Sequence, residues 1–99
     1  MDLILKFQIR LAAGEMQTLA APADAQVVHV GLDQSGALCV WARVRERDHA
    51  KSLLKLAVMI VGTGHEIPVY NVWRHWQHAM TFKDGQFMWH LLVLTPTEV

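Results

Sequence analysis

Asp84-Gly85 sits between two runs rich in aromatic and aliphatic residues, His75 to Phe82 and Gln86 to Leu94. The dipeptide is a strong signal for a two-residue turn, because glycine enters the left-handed region without steric cost. The segment is therefore predicted to be a β-hairpin. Its register pairs Phe82 with Phe87, Met80 with Trp89, His78 with Leu91 and Trp76 with Val93 on an aromatic, apolar face. The opposite face pairs Thr81 with Met88, Ala79 with His90 and Gln77 with Leu92.

The rest of the chain carries the same period-two patterning. Leu3, Leu5, Phe7, Ile9 and Leu11 alternate with Ile4, Lys6, Gln8 and Arg10, a half-buried strand that ends at Ala13-Gly14-Glu15. Met16 to Ala20 reads as a short return strand, and Pro22 and Asp24 mark a loop. Val27 to Asp33 and Ala37 to Val44 form a second hairpin around Gln34-Ser35-Gly36. With Gly36 in the left-handed region, that loop pairs Leu32 with Leu38, Val30 with Val40 and Val28 with Ala42. Leu53 to Val61 reads as a buried strand, with a helix capped by Asp48 and ended by Gly62 as the alternative. No repeat or linker divides the chain. Residues 1–99 are read as one domain, mainly β, folded as a compact antiparallel sandwich or a small, partly open barrel.

Composition narrows the function classes. Apolar residues make up 53% and charged residues 18%, against about 45–50% and 25% in ordinary globular domains. The balance implies a real core, and it also suggests surface that a homo-oligomer would bury. Nine basic residues offset nine acidic ones, so the dense cationic footprint of a nucleic-acid binder is missing. Arg43, Arg45 and Arg47 are interrupted by Glu46 and Asp48. No run approaches the roughly 20 apolar residues of a membrane-spanning helix. Asp2 stands where a signal peptide would carry basic residues. The single cysteine, Cys39, cannot form an intrachain disulfide and reads as a small buried hydrophobe. These features fit a cytoplasmic location.

Catalytic and metal constellations are weak. Six histidines are present, yet the predicted registers scatter His29, His75, His78 and His90, and zinc needs three or four ligands converging at about 2–2.3 Å. No metal or cofactor is expected. Cys39 and His29 share a sheet face, but a reactive thiol needs an electropositive, accessible setting. The most informative segment is Gly62-Thr63-Gly64-His65. Two glycines allow backbone N–H groups to converge on an anion, with Thr63 adding a hydroxyl and His65 a titratable donor. The plain alternative is a tight turn leaving a strand. Of the four tryptophans, Trp76 and Trp89 are expected in the core. Trp41 and Trp73 are the candidates to stack on a ligand.

The order of these features resembles a family of small tailed-phage accessory proteins of unknown function. The residues that carry the likeness are Lys6-Phe7, Gln17-Thr18 to Pro22, Cys39 to Ala42, the run Gly62 to Pro68, Thr81-Phe82 and Trp89-His90. The chain departs from the family pattern between Val69 and His75. The resemblance implies an accessory protein of phage or prophage acting in the bacterial cytoplasm, and no particular chemistry. The expected function is non-enzymatic binding of a host molecule: sequestering a nucleotide-type ligand at Gly62 to His65 with Trp41 or Trp73 stacking, or blocking a host or defence protein. The alternatives are a small phosphoester-acting enzyme using His65 as general base, and a minor virion structural protein.

Overall fold

The computed structural model describes residues 1–22, 24–45, 55–67 and 74–96. These form seven strands: β1 (Asp2–Gln8), β2 (Met16–Pro22), β3 (Gln26–Leu32), β4 (Leu38–Arg45), β5 (Lys55–Gly62), β6 (Arg74–Asp84) and β7 (Phe87–Pro96). They assemble into a three-stranded sheet, β1-β4-β3, and a four-stranded sheet, β2-β5-β7-β6. Every strand pairing is antiparallel. The architecture is the antiparallel sandwich, and the sheets do not close into a barrel. Of the stretch read as strand or helix, residues 55–61 are strand, inside the larger sheet, and Leu53 and Leu54 lie outside the described residues.

Burial explains why two layers form. In β1 only the odd residues Leu3, Leu5 and Phe7 turn inward, and Ile9 continues their face. They meet Val40, Ala42 and Val44 of β4 and, from the second sheet, Leu19, Leu56, Val58, Ile60, Phe82 and Leu91. β5 differs, because Leu56 through Val61 are all buried. Leu56, Val58 and Ile60 enter the sandwich core, while Met59 and Val61 join Leu92 and Trp76 in a second cluster on the opposite face. A strand with no polar side is stable only when both faces are covered.

Three expectations need correction. Met16 does not return along β1. The chain changes sheets at Ala13-Gly14, where the Gly14 N–H donates to the Ile60 carbonyl at 2.8 Å, and β2 pairs with β5. In the first hairpin Leu32–Leu38 and Val30–Val40 pair as expected, and Gly36 has φ +85°. Ala42, however, faces Val27, because a bulge lies between Val27 and His29. In the last hairpin the turn is Gly85-Gln86, with Asp84 opposite Phe87. Only Gly85, at φ +62°, has a positive φ there. That is the pattern of a type II′ turn, which places glycine first. The slip sets Phe82 against Trp89 and Met80 against Leu91, and a bulge between His78 and Met80 turns the rest of β6 over. Trp76 therefore packs on the outer cluster, outside the sandwich core.

The two polar anchors lie at chain turns. Gln17, 8% exposed, accepts from the Arg10 N–H at 2.8 Å and donates to the Arg10 carbonyl at 2.7 Å. Its amide stands in for a neighbouring strand where the chain leaves the first sheet. Asp33 accepts from the Ser35 hydroxyl and the backbone N–H groups of Ser35 and Ala37, and pairs with Lys6 at 3.1 Å. These donors hold its carboxyl well below the usual carboxylate range. Gln17→Ala leaves both Arg10 groups without their partner and is expected to cost about 2 kcal/mol in denaturant titration. Thr18→Ala, at an exposed neighbour, is expected within about 0.5 kcal/mol of wild type. Equal effects would show that the Gln17 amide is not an anchor.

Candidate functional site

β5 ends at Gly62, opposite Trp89 of β7. The β6–β7 hairpin continues past that point to its turn at Gly85-Gln86. The overhang leaves a groove lined by Gly62, Thr63, His65, Gln86, Phe87, Met88 and Trp89, with a volume of about 590 Å³. That lies within the roughly 300–1,000 Å³ of small-molecule sites.

The Gly62–His65 segment builds one wall as a tight turn. The His65 N–H donates to the Gly62 carbonyl at 3.1 Å, and Gly64 has φ +89°. A positive φ at the third position is the type II pattern, and it selects glycine. The Gly62 N–H in turn donates to Nδ1 of His65 at 3.2 Å. Two of the loop's backbone donors, those of Gly62 and His65, are thus used inside the turn. The His65 ring lies over Gly62, where an added Cβ would come within 2.9 Å of it. Its edge approaches Trp89, with ring centroids 6.5 Å apart.

Nδ1 of His65 accepts a hydrogen bond, so the ring carries its proton on Nε2 and presents a donor there. The far wall is Phe87, 61% exposed, whose ring centroid lies 6.4 Å from that of Trp89. Trp89 packs against the sandwich core by its ring. Its indole Nε1–H is buried and has no acceptor among the described residues. A buried donor without a partner costs about 1–3 kcal/mol, so such groups are few and call for an explanation.

A polar chain runs from the turn onto the outer face of the same sheet. Thr63 Oγ1 and His90 Nε2 are 2.9 Å apart, His90 Nδ1 and Thr81 Oγ1 2.9 Å, and Thr81 Oγ1 and His78 Nε2 2.9 Å. The sequence register had separated His78 from His90; the bulge in β6 brings them to one hydroxyl. Among the described residues no three His, Cys, Asp or Glu side chains could share a metal ion.

The other expected site residues fall elsewhere. Trp41 lies on the outer face of the three-stranded sheet beside His29, with centroids 5.2 Å apart. It belongs to the other sheet and does not line the groove beside His65. Trp73 lies outside the described residues. Cys39 is buried, and its thiol donates to Asp33 at 3.6 Å. Burial, foremost, and the Asp33 carboxylate push that thiol up, the reverse of an activated nucleophile. Sequence reasoning assigned Trp89 to the core and Phe87 to a partner across the hairpin. Only the turn position, one residue later than expected, could have exposed their role.

Fold and groove together define a two-sheet β protein with an apolar recess beside a glycine turn. The chain belongs to the family described as Domain of unknown function (DUF7352), whose model matches residues 1–99. Comparisons with curated proteins and with solved structures find no match. No helix among the described residues is long and apolar enough to cross a membrane.

Gly62→Ala is expected to push the His65 ring off Trp89, read as a loss of ring-current shifts on the His65 protons. Gly64→Ala instead strains the turn and should cost about 1–2 kcal/mol in denaturant titration. Unchanged His65 shifts in the Gly62 variant would mean that the ring does not rest on that glycine.

Proposed function

We propose that this protein is a non-enzymatic binding protein whose groove takes a small ligand with a flat heteroaromatic group. The observation that carries the reading is the apolar recess walled by Phe87 and Trp89 beside the Gly62–His65 turn. Phe87 and Trp89 supply flat apolar surface on which such a group can stack. His65 offers Nε2–H at the rim as a donor.

The nucleotide-type ligand anticipated from the glycine loop is thereby narrowed to its base. Two backbone N–H groups of the loop are consumed by the turn, and among the described residues no Lys or Arg lines the groove. A phosphate would find little to hold it. The same geometry counts against His65 as general base, since its accepting nitrogen is occupied by Gly62. The setting as a phage or prophage accessory protein in the bacterial cytoplasm rests on the resemblance of the loop and strand motifs. A second reading, blockade of a host or defence protein, draws on the exposure of Phe87 and Met88 at the lip.

Titration of tryptophan fluorescence with a panel of purine and pyrimidine nucleosides and their monophosphates tests the first reading. At least one nucleoside is expected to bind, with its monophosphate no tighter. Trp89→Leu, which keeps an apolar side chain but removes the flat indole, should weaken binding about tenfold, and Trp41→Phe should leave it unchanged. Absence of binding across the panel at millimolar concentration would overturn the reading. Capture of one host protein, lost in Phe87→Ala, would favour the second.

A further inference from the structure

Four strands are sheet edges among the described residues: β1 and β3 in one sheet, β2 and β6 in the other. Open edges present unpaired backbone groups that template pairing with another strand, and bulges are a common way of blocking this. The pairings of β2, β3 and β6 each contain a register shift. β1 alone runs without one, Asp2 to Gln8 against Arg45 to Cys39.

The direction of its free groups can be read from the ladder. The Ile9 N–H donates to the Leu38 carbonyl at 2.9 Å, in line with the β1–β4 register. Odd residues of β1 therefore face β4, and the N–H and C=O groups of Asp2, Ile4, Lys6 and Gln8 point to the open edge. The next even residue, Arg10, confirms the phase: its outward N–H and C=O are the two groups capped by the Gln17 amide. Gln17 ends the open edge, and nothing among the described residues covers the part before it.

We infer that β1 is a self-association edge, pairing antiparallel with β1 of a second copy about a two-fold axis at Ile4. Outward-pointing groups can pair only even residue with even residue, which leaves few registers. Centring on Lys6 would oppose two like charges. Centring on Ile4 opposes Ile4 to its symmetry mate and places Asp2 across from Lys6 of the second copy on both sides of the axis, each charge adding this partner to the one it has within the chain, Arg43 for Asp2 and Asp33 for Lys6. Ile4 is 61% exposed in the single chain. The pairing covers it and joins two opposite-charge cross-strand pairs. It merges the two three-stranded sheets into one continuous sheet, an isologous contact that closes on itself. The lysine that would ordinarily protect an edge strand here selects the register. The edge belongs to the sheet opposite the groove, so this contact stands or falls independently of ligand binding.

Sedimentation equilibrium of the full chain tests it. The wild type is expected to dimerise. Ile4→Pro removes only an outward N–H, since proline is tolerated where the edge faces solvent, and should weaken the dimer at least about tenfold with the far-ultraviolet circular dichroism unchanged. As a second route, Ile4→Cys should form an intermolecular disulfide on oxidation, because the two-fold axis brings the new thiol to its own copy, while Lys6→Cys should not. A wild type that stays monomeric, a dimer untouched by Ile4→Pro in a folded chain, or a crosslink through Lys6→Cys in place of Ile4→Cys would each overturn the inference.

Discussion

The structure depends on one strand that has no polar side. Leu56 to Val61 are all buried, and three of them, Leu56, Val58 and Ile60, sit in the sandwich core. Such a strand must lie inside its sheet and be covered on both faces, or its apolar surface would remain in water. That requirement sets β5 between β2 and β7 and draws the three-stranded sheet over one face. It also explains Met59, Val61, Leu92 and Trp76 as a second apolar cluster on the other.

The groove follows from where that strand stops. Gly62 ends the apolar run, and a glycine turn folds His65 back over Gly62. Trp89, the cross-strand partner of Gly62, meets no side chain from it. The space that a larger residue would have filled is occupied by the His65 ring on one side and left open on the other. Past this point the β6–β7 hairpin continues without β5 beside it, so Phe87 and Met88 stand exposed. The recess and its apolar lining thus share one origin.

Much of the fold was legible. Alternation in β1 is strict, and its burial repeats that alternation residue by residue. The Gln34-Ser35-Gly36 loop was readable because Gly36 satisfies the one left-handed position it needs. The bulges were not readable. Val27 and Val28 are the same residue, so apolar pattern does not tell which one faces Ala42. Ala79 is small enough to sit on either face, and the flip it allows decides the side of Trp76 and His78. The glycines of the candidate loop serve a turn that uses up backbone donors, which their spacing alone does not reveal. Phe87 and Trp89 were hidden by a turn displaced by one residue, which shifts pairing by two and leaves the faces looking unchanged.

The central claim is that the recess walled by Phe87 and Trp89 beside the Gly62–His65 turn takes a flat heteroaromatic group. Nitrogen-15 NMR of the indole groups tests it most directly, with the Trp89 signal assigned by its loss in Trp89→Phe. In the free protein this proton should exchange slowly with water, as burial requires. On addition of the nucleoside that binds, it should shift, as the ring current of a base stacked on the indole requires, while the Trp41 signal stays in place. A Trp89 proton that exchanges at the rate of an exposed indole, or that does not move while the ligand binds, would contradict the account.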